Sequence, residues 1–326
     1  MKKKILEFLT ERREFVSGQE ICEQLGVSRT AVWKYINSLR DEGYEIESVT
    51  RKGYRLLHSP DLLTGEELQK YLSKEIWPGP VACHASIDST NEEAKRQAAQ
   101  GAPDGSLYVA DQQTAGKGRR GRRWISPGGE DIFFSLLLRP EIPVQCASML
   151  TLVAALAAEA AVEKHSGETG QIKWPNDIIL HDRKICGILT EMGTEMGEIS
   201  YVVIGVGVNL NRMDFSENIA EIGSSIKKET GRTVKRAAFL ADFLKEFQSR
   251  YPVFLREQDL RCFVEEYNQK LVNIGREVKI IKNKEEVIWT AEGINAQGEL
   301  LVRREDGKQE TVFTGEVSVR GLYGYV

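Results

Sequence analysis

The feature that most limits the possible folds is the change of apolar pattern between residues 65 and 270. Short apolar runs with strand character alternate there with two long runs whose apolar residues recur at helical spacing. The strand-like runs are SLYVADQQ, EDIFFSLLLRP, QIKWPNDIIL, KICGILTEM and ISYVVIGVGVNL, and the helical runs are CASMLTLVAALAAEAAVEKH and RAAFLADFLKEFQSRYPVFLRE. This mixture predicts a central α/β domain of two or three layers.

The first 60 residues follow another pattern and are predicted to form a domain of their own. Two short helical runs come first, and the second of them ends at Gly26. Ser28 is placed to cap a third helix that stops near Gly43. The strand-like runs YEIESV and GYRLL follow, joined by the turn TRKG. Two helices, a tight turn, a third helix and a hairpin indicate a winged helix-turn-helix.

In that arrangement the third helix enters the DNA major groove and the hairpin contacts the backbone. The alternative is a small helical interaction domain whose basic residues only keep it soluble. Eleven Lys and Arg against nine Asp and Glu in residues 1–57 do not decide between them, but the order of elements favours DNA binding. The predicted DNA contacts are Ser28, Arg29, Thr30, Trp33 and Lys34 on the helix, and Arg51 and Lys52 at the wing tip.

Residues 271–326 contain short strand-like runs punctuated by Gly and Asn, which predict a small SH3-like β-barrel. Thr64 and Glu67 form a capping-box pattern that starts the helix after a linker. The chain is therefore predicted to be an α+β multidomain protein with domains at 1–60, 65–270 and 271–326.

The composition of the chain indicates where in the cell the protein is located. The formal net charge is −4, the basic N-terminus lacks the apolar core of a signal peptide, and no long uncharged apolar stretch indicates a membrane span. Five dispersed cysteines without a C-x-x-C pair predict reduced thiols in the cytoplasm and argue against a structural zinc site.

The loop GKGRRGRRW, residues 116–124, places five cations within seven residues and threads glycines among them. Such a strip suits an anion, because glycine lets backbone N–H groups approach and guanidinium groups grip oxygens in pairs. Nucleic acid and a phosphorylated small molecule are both candidates, and a solvated surface loop is the plain alternative. The order of residues does not match a Walker A loop, and no helix follows as a dinucleotide-binding loop requires.

Three further clusters carry polar groups or small residues. KWPND, residues 173–177, is expected to end a strand at a sheet edge, and Gly187 allows close backbone approach in the next strand. GVGVN, residues 205–209, leaves room for a flat ligand on a sheet. In DSTNEE, Ser89 and Glu92 have capping-box spacing, which favours a plain helix cap over a ligand role.

GKGRRGRRW, KWPND, RKICGILTE and GVGVN, in this order, resemble the signature of biotin protein ligases. With the N-terminal winged helix, essentially the whole chain is similar to the bacterial bifunctional biotin ligases that also repress the biotin operon. The resemblance implies a class II synthetase-like catalytic domain. It implies that ATP and biotin, with Mg²⁺ arriving on ATP, give biotinyl-5′-AMP, and that biotin then passes to a lysine of a carboxylase carrier domain. It further implies that biotinyl-5′-AMP acts as corepressor for a homodimer on operator DNA.

The resemblance also assigns roles to residues. Lys184 and Arg119 are the implied catalytic residues. The implied biotin contacts are Ser89, Thr90, Asn91, Gln113, Lys117, Gly118, Arg119, Lys184 and Gly187. The implied contacts to ATP and the adenylate are Arg119, Arg122, Trp124, Lys173, Asn176, Asn209 and Arg320. No protein metal ligand is implied.

One residue departs from the family pattern. Lys117 stands where the family most often has arginine, so the charge is kept but the paired guanidinium grip is lost. The alternatives left open are a lipoate-type ligase, a ligand-sensing repressor without catalysis and a plain nucleic-acid-binding protein.

Overall fold

The computed structural model describes the backbone of the chain except residues 13, 42, 283–284, 314–317 and 322–326. The chain divides into two compact units, Met1–Asp61 and Leu62–Val326. Each unit has its own buried core and is described separately.

The first unit contains three helices followed by a two-stranded antiparallel hairpin. Its elements are α1 (Lys2–Arg12), α2 (Gly18–Leu25), α3 (Arg29–Asp41), β1 (Glu45–Val49) and β2 (Gly53–His58). Gly26 ends α2 with a φ of +64°, and the Ser28 hydroxyl accepts a hydrogen bond from the Ala31 amide at 3.3 Å. Helix α3 buries Val32, Ile36 and Leu39, whose spacing is that of one helix face. The predicted order of elements is confirmed.

The second unit is built on a seven-stranded sheet. Its strands are β3 (Val81–Ile87), β4 (Ser106–Gln113), β5 (Ile132–Leu138), β6 (Gln171–Lys173), β7 (Asp177–Leu180), β8 (Arg183–Glu195) and β9 (Glu198–Val208). Their spatial order is β3-β4-β5-β9-β8-β7-β6, and every neighbouring pair is antiparallel except β3 and β4.

Helices cover both faces of this sheet. They are α4 (Gly65–Leu68), α5 (Thr90–Ala99), α6 (Leu150–Ser166), α7 (Glu217–Ala220), α8 (Ile226–Thr230), α9 (Arg236–Glu257) and α10 (Val264–Lys270). The long helices α6 and α9 pack on one face over the main apolar core, and α5 packs on the other over a smaller cluster. The predicted α/β layers are confirmed, with three layers where α5 covers the sheet.

The stretch Val144–Ser166, which contains α6, is long and apolar enough to cross a membrane by length and composition. However, 72% of its apolar window is buried inside the protein. Burial against α9 and the sheet accounts for its apolar composition, as expected for the central helix of a core.

The last strands form a separate five-stranded antiparallel sheet. They are β10 (Glu277–Lys282), β11 (Glu285–Ile294), β12 (Leu300–Arg303), β13 (Gln309–Val312) and β14 (Ser318–Gly321), in the order β13-β12-β11-β10-β14. This sheet is joined to the larger one at Trp174, whose indole nitrogen donates to the Gly298 carbonyl at 3.0 Å and whose amide donates to Asn273 at 3.1 Å.

The run QIKWPNDIIL forms two strands: β6 ends at Lys173, as KWPND predicted, and the chain turns back at Trp174–Asn176 so that Lys173 pairs with Asp177 across a tight hairpin. One local expectation is wrong. Ser89 precedes α5 but its side chain makes no capping hydrogen bond. By contrast, the Thr64 hydroxyl accepts from the Glu67 amide at 3.2 Å, as predicted.

Candidate functional site

A cavity of about 900 Å³ lies against the α5 face of the seven-stranded sheet. It brings together every residue that the sequence assigned to biotin or to ATP and whose side chain the structure describes. The lining residues from those predictions are Ser89, Thr90, Asn91, Gln113, Lys117, Gly118, Arg119, Arg122, Trp124, Lys173, Asn176, Lys184, Gly187 and Asn209. They come from six separate segments of the chain, so chain folding and not sequence proximity assembles the site.

Gly187, Gly205 and Gly207, on β8 and β9, form the floor of the cavity. Ser135 on β5 lies opposite Gly205 on β9, and Gly207 lies opposite Gly187 on β8. A Cβ atom at Gly205 would lie 2.0 Å from Asn91 Oδ1, and one at Gly207 would lie 2.6 Å from the Trp124 indole nitrogen. Glycine is therefore required at both positions for these side chains to lie flat on the sheet.

The indole of Trp124 lies over Gly187 and over Gly207, within the run GVGVN that was predicted to leave room for a flat ligand. The Trp124 indole nitrogen is buried and has no hydrogen-bond partner among the described residues. A buried donor left without a partner is costly, and a ligand acceptor would satisfy it.

One part of the cavity is a nest of neutral hydrogen-bonding groups. The Thr90 amide donates to Gln113 Oε1 at 2.8 Å, and the Ser135 hydroxyl lies 2.8 Å from Thr90 Oγ1 and 2.6 Å from Asn91 Oδ1. Gln113 Nε2 donates to the Ser126 hydroxyl at 3.0 Å. All of these except Gln113 are almost fully buried. Such a nest can orient a small ring that carries both donors and acceptors.

The sequence reasoning missed Ser135 and Ser126. Ser135 is a single hydroxyl within the apolar strand IFFSLLL, and this interruption was the available signal. Its role became visible only once β5 and β9 were paired, because that pairing sets Ser135 beside Gly205.

The basic loop forms a tight hairpin at the mouth of the nest. The Gly118 amide donates to the Arg122 carbonyl at 2.7 Å, and the Trp124 amide donates to the Gly116 carbonyl at 2.9 Å. Arg120, at the tip, has a φ of +59°. Lys117 forms an ion pair with Glu92 of α5 at 2.6 Å, while Arg120 and Arg122 remain exposed.

Arg119 differs from its neighbours because it turns into the cavity. Its guanidinium donates to Asn176 Oδ1 at 2.9 Å. Burial lowers the pKa of Arg119, against the opposing effect of Asp177. A desolvated guanidinium of this kind binds an anion more strongly than one in water, because little water competes for it.

Lys184 and Asp177 form the charged centre of the cavity. The Lys184 ammonium lies 2.5 Å from Asp177 Oδ1, which also accepts from Asn176 Nδ2 at 3.0 Å. The ammonium lies 5.3 Å from the centre of the Trp124 ring, within cation–π range. Lys173 is also nearly buried, and the hairpin turn places it across from Asp177. Asp177 was not among the predicted site residues, although it lies within KWPND.

The far end of the cavity is ordered by buried polar groups after β9. Asn209 Nδ2 donates to the Ser224 carbonyl at 2.9 Å, and Asn209 Oδ1 accepts from Arg212 at 2.7 Å. Arg212 pairs with the fully buried Asp131 at 3.0 Å. Desolvation raises the pKa of Asp131 to about 6, with Arg212 opposing the shift. The sequence reasoning missed Arg212, Asp131 and the lining segment 219–223, since no local pattern distinguishes them.

The smaller sheet also reaches the cavity. Lys279 and Glu286, on β10 and β11, line it and form an ion pair at 2.9 Å. Arg320 lies on β14 opposite Lys279, but its side chain falls outside the described residues. Within the described chain, no three His, Cys, Asp or Glu side chains come together as a metal site.

The parts of the cavity follow one another along β9. The neutral nest faces Gly205, and Trp124 faces Gly207. Lys184 lies against Gly187, which is opposite Gly207 on β8, and the last polar cluster begins at Asn209. At about 3.3 Å per strand residue, this row spans about 13 Å. It can hold an extended ligand with a neutral polar ring, a central anionic group and a further polar portion.

The first unit carries a second candidate surface. All seven predicted DNA contacts are exposed, which are Ser28, Arg29, Thr30, Trp33, Lys34, Arg51 and Lys52. Trp33 is 59% exposed, which is unusual for a tryptophan and consistent with a contact surface. Arg29 is oriented by a 2.6 Å hydrogen bond to Gln19 of α2.

Three family models match the chain. The HTH domain matches residues 2–55, the biotin/lipoate A/B protein ligase family matches residues 83–209, and the biotin protein ligase C-terminal domain matches residues 274–320. The middle match covers the nest, the basic loop, KWPND, Lys184 and GVGVN.

Two curated relatives match nearly end to end. The bifunctional ligase/repressor BirA of Bacillus subtilis is 38% identical over 94% of this chain and 95% of its own length. The bifunctional ligase/repressor BirA of Escherichia coli is 33% identical over 94% of both chains. A structure of the biotin protein ligase from Aquifex aeolicus in complex with biotin and ATP superposes with a TM-score of 0.65 at 28% identity, covering 74% of this chain and 99% of that one.

Proposed function

Because this chain belongs to the family of bifunctional biotin protein ligases and repressors, we propose that it ligates biotin to protein at the expense of ATP. Biotin and ATP form biotinyl-5′-AMP and pyrophosphate, and the biotinyl group then passes to a lysine of a carboxylase carrier domain. The same chain represses transcription of biotin genes, with biotinyl-5′-AMP as corepressor.

The observation that carries the proposal is the row of groups along β9. A neutral donor–acceptor nest, a cluster of cations and a polar end follow one another within a single cavity. This order matches biotinyl-5′-AMP, whose ureido ring, acyl phosphate and nucleoside lie in the same sequence.

We assign the residues accordingly. Ser89, Thr90, Asn91 and Gln113 hydrogen-bond the ureido ring. Gly187 leaves the space in which Trp124 and Lys184 lie beside the ligand. Lys117, Gly118 and Arg119 hold the carboxylate. Arg122 and Trp124 meet the phosphate and adenine, while Lys173, Asn176, Asn209 and Arg320 serve the nucleotide end.

Adenylation requires two anions to react with each other. A biotin carboxylate oxygen attacks the α-phosphorus of ATP, the P–O bond to the β-phosphate breaks, and pyrophosphate leaves with the bonding pair. Negative charge grows on the α-phosphate oxygens, and we assign its stabilisation to Lys184 and Arg119, which both line the cavity. Asp177 positions Lys184 through their ion pair. No protein nucleophile takes part.

In the second step, the mixed anhydride is attacked at its acyl carbon. The acceptor lysine contributes its neutral amine, AMP leaves with the bonding pair, and the proton on the new amide nitrogen is lost to solvent. The amide product is stable, whereas a free carboxylate would not have reacted with an amine.

Mg²⁺ belongs to this reaction as part of the ATP substrate. The oxygens of Asp177, Asn176 and Asn209 lie near the nucleotide end, and each already accepts a hydrogen bond from a protein group. These residues fit a metal carried by the polyphosphate and do not form a resident site.

Repression is supported by the exposed face of α3. We propose that the hairpin β1–β2 serves as the wing, and that a homodimer presents two such units to an operator with two half-sites. We also propose that β10–β14 belong to an SH3-like barrel, and that the protein is cytoplasmic, in keeping with its five free cysteines.

Pyrophosphate release tests the ligase assignment. With ATP, biotin but not lipoate should produce it, and Lys184→Ala should reduce it strongly. Release with lipoate instead would favour a lipoate-type ligase. Tight biotin binding without any release would favour a repressor that only senses its ligand.

A further inference from the structure

We propose that Glu92 is a stand-in anion for the basic loop and thereby sets how tightly the loop holds an anionic ligand. Glu92 lies on α5, outside the segments that carry the family signature. The inference rests on the proposed function in one respect, namely that the loop receives a ligand carboxylate.

The geometry links Glu92 to the loop directly. Lys117 Nζ lies 2.6 Å from Glu92 Oε1, and the same oxygen lies 2.5 Å from Lys95 Nζ. Lys95 in turn lies 3.0 Å from Glu191 Oε1 on β8. These four side chains carry two positive and two negative charges, so each charge has an opposite neighbour.

This row of ion pairs, from Lys117 to Glu191, continues into the neutral hydrogen-bonding nest. Glu191 Oε2 accepts from Asn91 Nδ2 at 2.8 Å, and Asn91 Oδ1 accepts from the Ser135 hydroxyl. Glu92 therefore lies between the loop that would bind the carboxylate and the nest that would bind the ring.

Because Glu92 has two cationic partners, it can give up one of them to a ligand. If a ligand carboxylate takes Lys117, Glu92 keeps its ion pair with Lys95 and is not left as an isolated charge. Without ligand, Glu92 occupies the place of the anion and prevents repulsion of Lys117 by the loop arginines. Hydrogen bonds from Lys117 and then Lys95 lower the pKa of Glu92, which keeps it charged at neutral pH.

Competition follows from this arrangement, because a ligand carboxylate and Glu92 seek the same ammonium. Removing the Glu92 charge should strengthen binding of an anionic ligand and leave a neutral ligand unaffected. Lys117 and Glu92 are both partly exposed, so a change of about two- to fivefold is expected, in line with pairs of this kind.

The experiment measures dissociation constants of biotin, and of its primary alcohol analogue that lacks the carboxylate, by titration calorimetry on the full-length protein without ATP. Glu92→Gln should bind biotin about two- to fivefold more tightly than the unsubstituted protein, with no change for the alcohol. Glu93→Gln is the matched control, because Glu93 lies on the same helix and pairs with Arg96. It should alter neither constant.

A double substitution tests whether the effect of Glu92 acts through its ion pair with Lys117. In a Lys117→Gln background, adding Glu92→Gln should no longer tighten biotin binding. Unchanged or weaker biotin binding by Glu92→Gln, or equal tightening of the alcohol, would overturn the inference while leaving the ligase assignment intact. Failure of the unsubstituted protein to bind biotin would overturn both.

Discussion

Gly205→Ala tests whether the floor of the cavity is shaped as described. A Cβ atom there would lie 2.0 Å from Asn91 Oδ1 and 2.9 Å from Asn91 Nδ2. Gly205 lies within β9 at an ordinary strand φ, so the backbone itself does not resist alanine. The clash with Asn91 alone should decide the effect.

The size of the stability loss follows from the hydrogen bonds that Asn91 must break. Moving its amide would break contacts to Ser135 at 2.6 Å, to Glu191 at 2.8 Å and to the Leu189 carbonyl at 3.2 Å. Overpacking costs about 1–3 kcal/mol, and each buried hydrogen bond contributes about 1 kcal/mol. We expect a loss of about 3 kcal/mol in the unfolding free energy of the second unit, or a Tm lowered by roughly 6–12 °C.

Urea unfolding followed by tryptophan fluorescence measures this loss, since Trp77, Trp124, Trp174 and Trp289 all lie in the second unit. Gly65→Ala is the control, because nothing lies within 4 Å of a Cβ atom at that position. Biotin affinity should fall about tenfold or more in Gly205→Ala, as expected when a hydrogen-bonding group in the nest is displaced. If Gly205→Ala matched the Gly65→Ala control in both stability and biotin affinity, the description of the nest would be refuted.

Four further outcomes are expected. Lys184→Met should lower kcat for pyrophosphate release by about 10²- to 10³-fold in steady-state assays, and a smaller loss would remove Lys184 from its catalytic role. Arg29→Ala should weaken operator binding in gel shifts by roughly 1–3 kcal/mol and leave pyrophosphate release unchanged; loss of both would point to misfolding. Because burial raises the pKa of Asp131 to about 6, its contribution to stability is present below pH 4 and lost as the pH rises through 6. Asp131→Asn should lack this fall in unfolding free energy, which amounts to at most about 3 kcal/mol. If the unfolding free energy of Asp131→Asn fell with rising pH as much as that of the unsubstituted protein, the prediction would be contradicted. Trypsin should cleave residues 116–124 more slowly when biotin and ATP are present, since the arginines of the loop repel one another until an anion arrives; equal rates would count against that view.

Local pattern was sufficient for much of the fold. The run SLYVADQQ became β4 and RAAFLADFLKEFQSRYPVFLRE became α9 with the expected boundaries, because alternation and helical spacing are properties of neighbouring residues. The caps at Ser28 and Thr64 also formed, since each needs only the three residues that follow it.

Errors arose where long-range contacts competed with local signals. Glu92 has capping-box spacing from Ser89, but it pairs with Lys117 and Lys95. KWPND predicted where β6 ends but not its partner strand β7: the turn at Trp174–Asn176 brings Lys173 back against Asp177. Neither partner choice can be read from spacing along the chain.

The same limit applies to the site. The motifs identified most of the lining because the residues within each motif are adjacent, yet Ser135, Asp177 and Arg212 acquire their roles from other strands and loops. The pairing of β5 with β9 and of β7 with β8 supplies that information.

We propose that charge in the cavity seats an acyl adenylate and that no covalent bond to the enzyme forms. Mass spectrometry of the protein after incubation with biotin and ATP tests it most directly. We expect a mass gain equal to biotinyl-5′-AMP under native conditions that disappears on denaturation. Absence of any gain, or a stoichiometric adduct that survives denaturation, would contradict it.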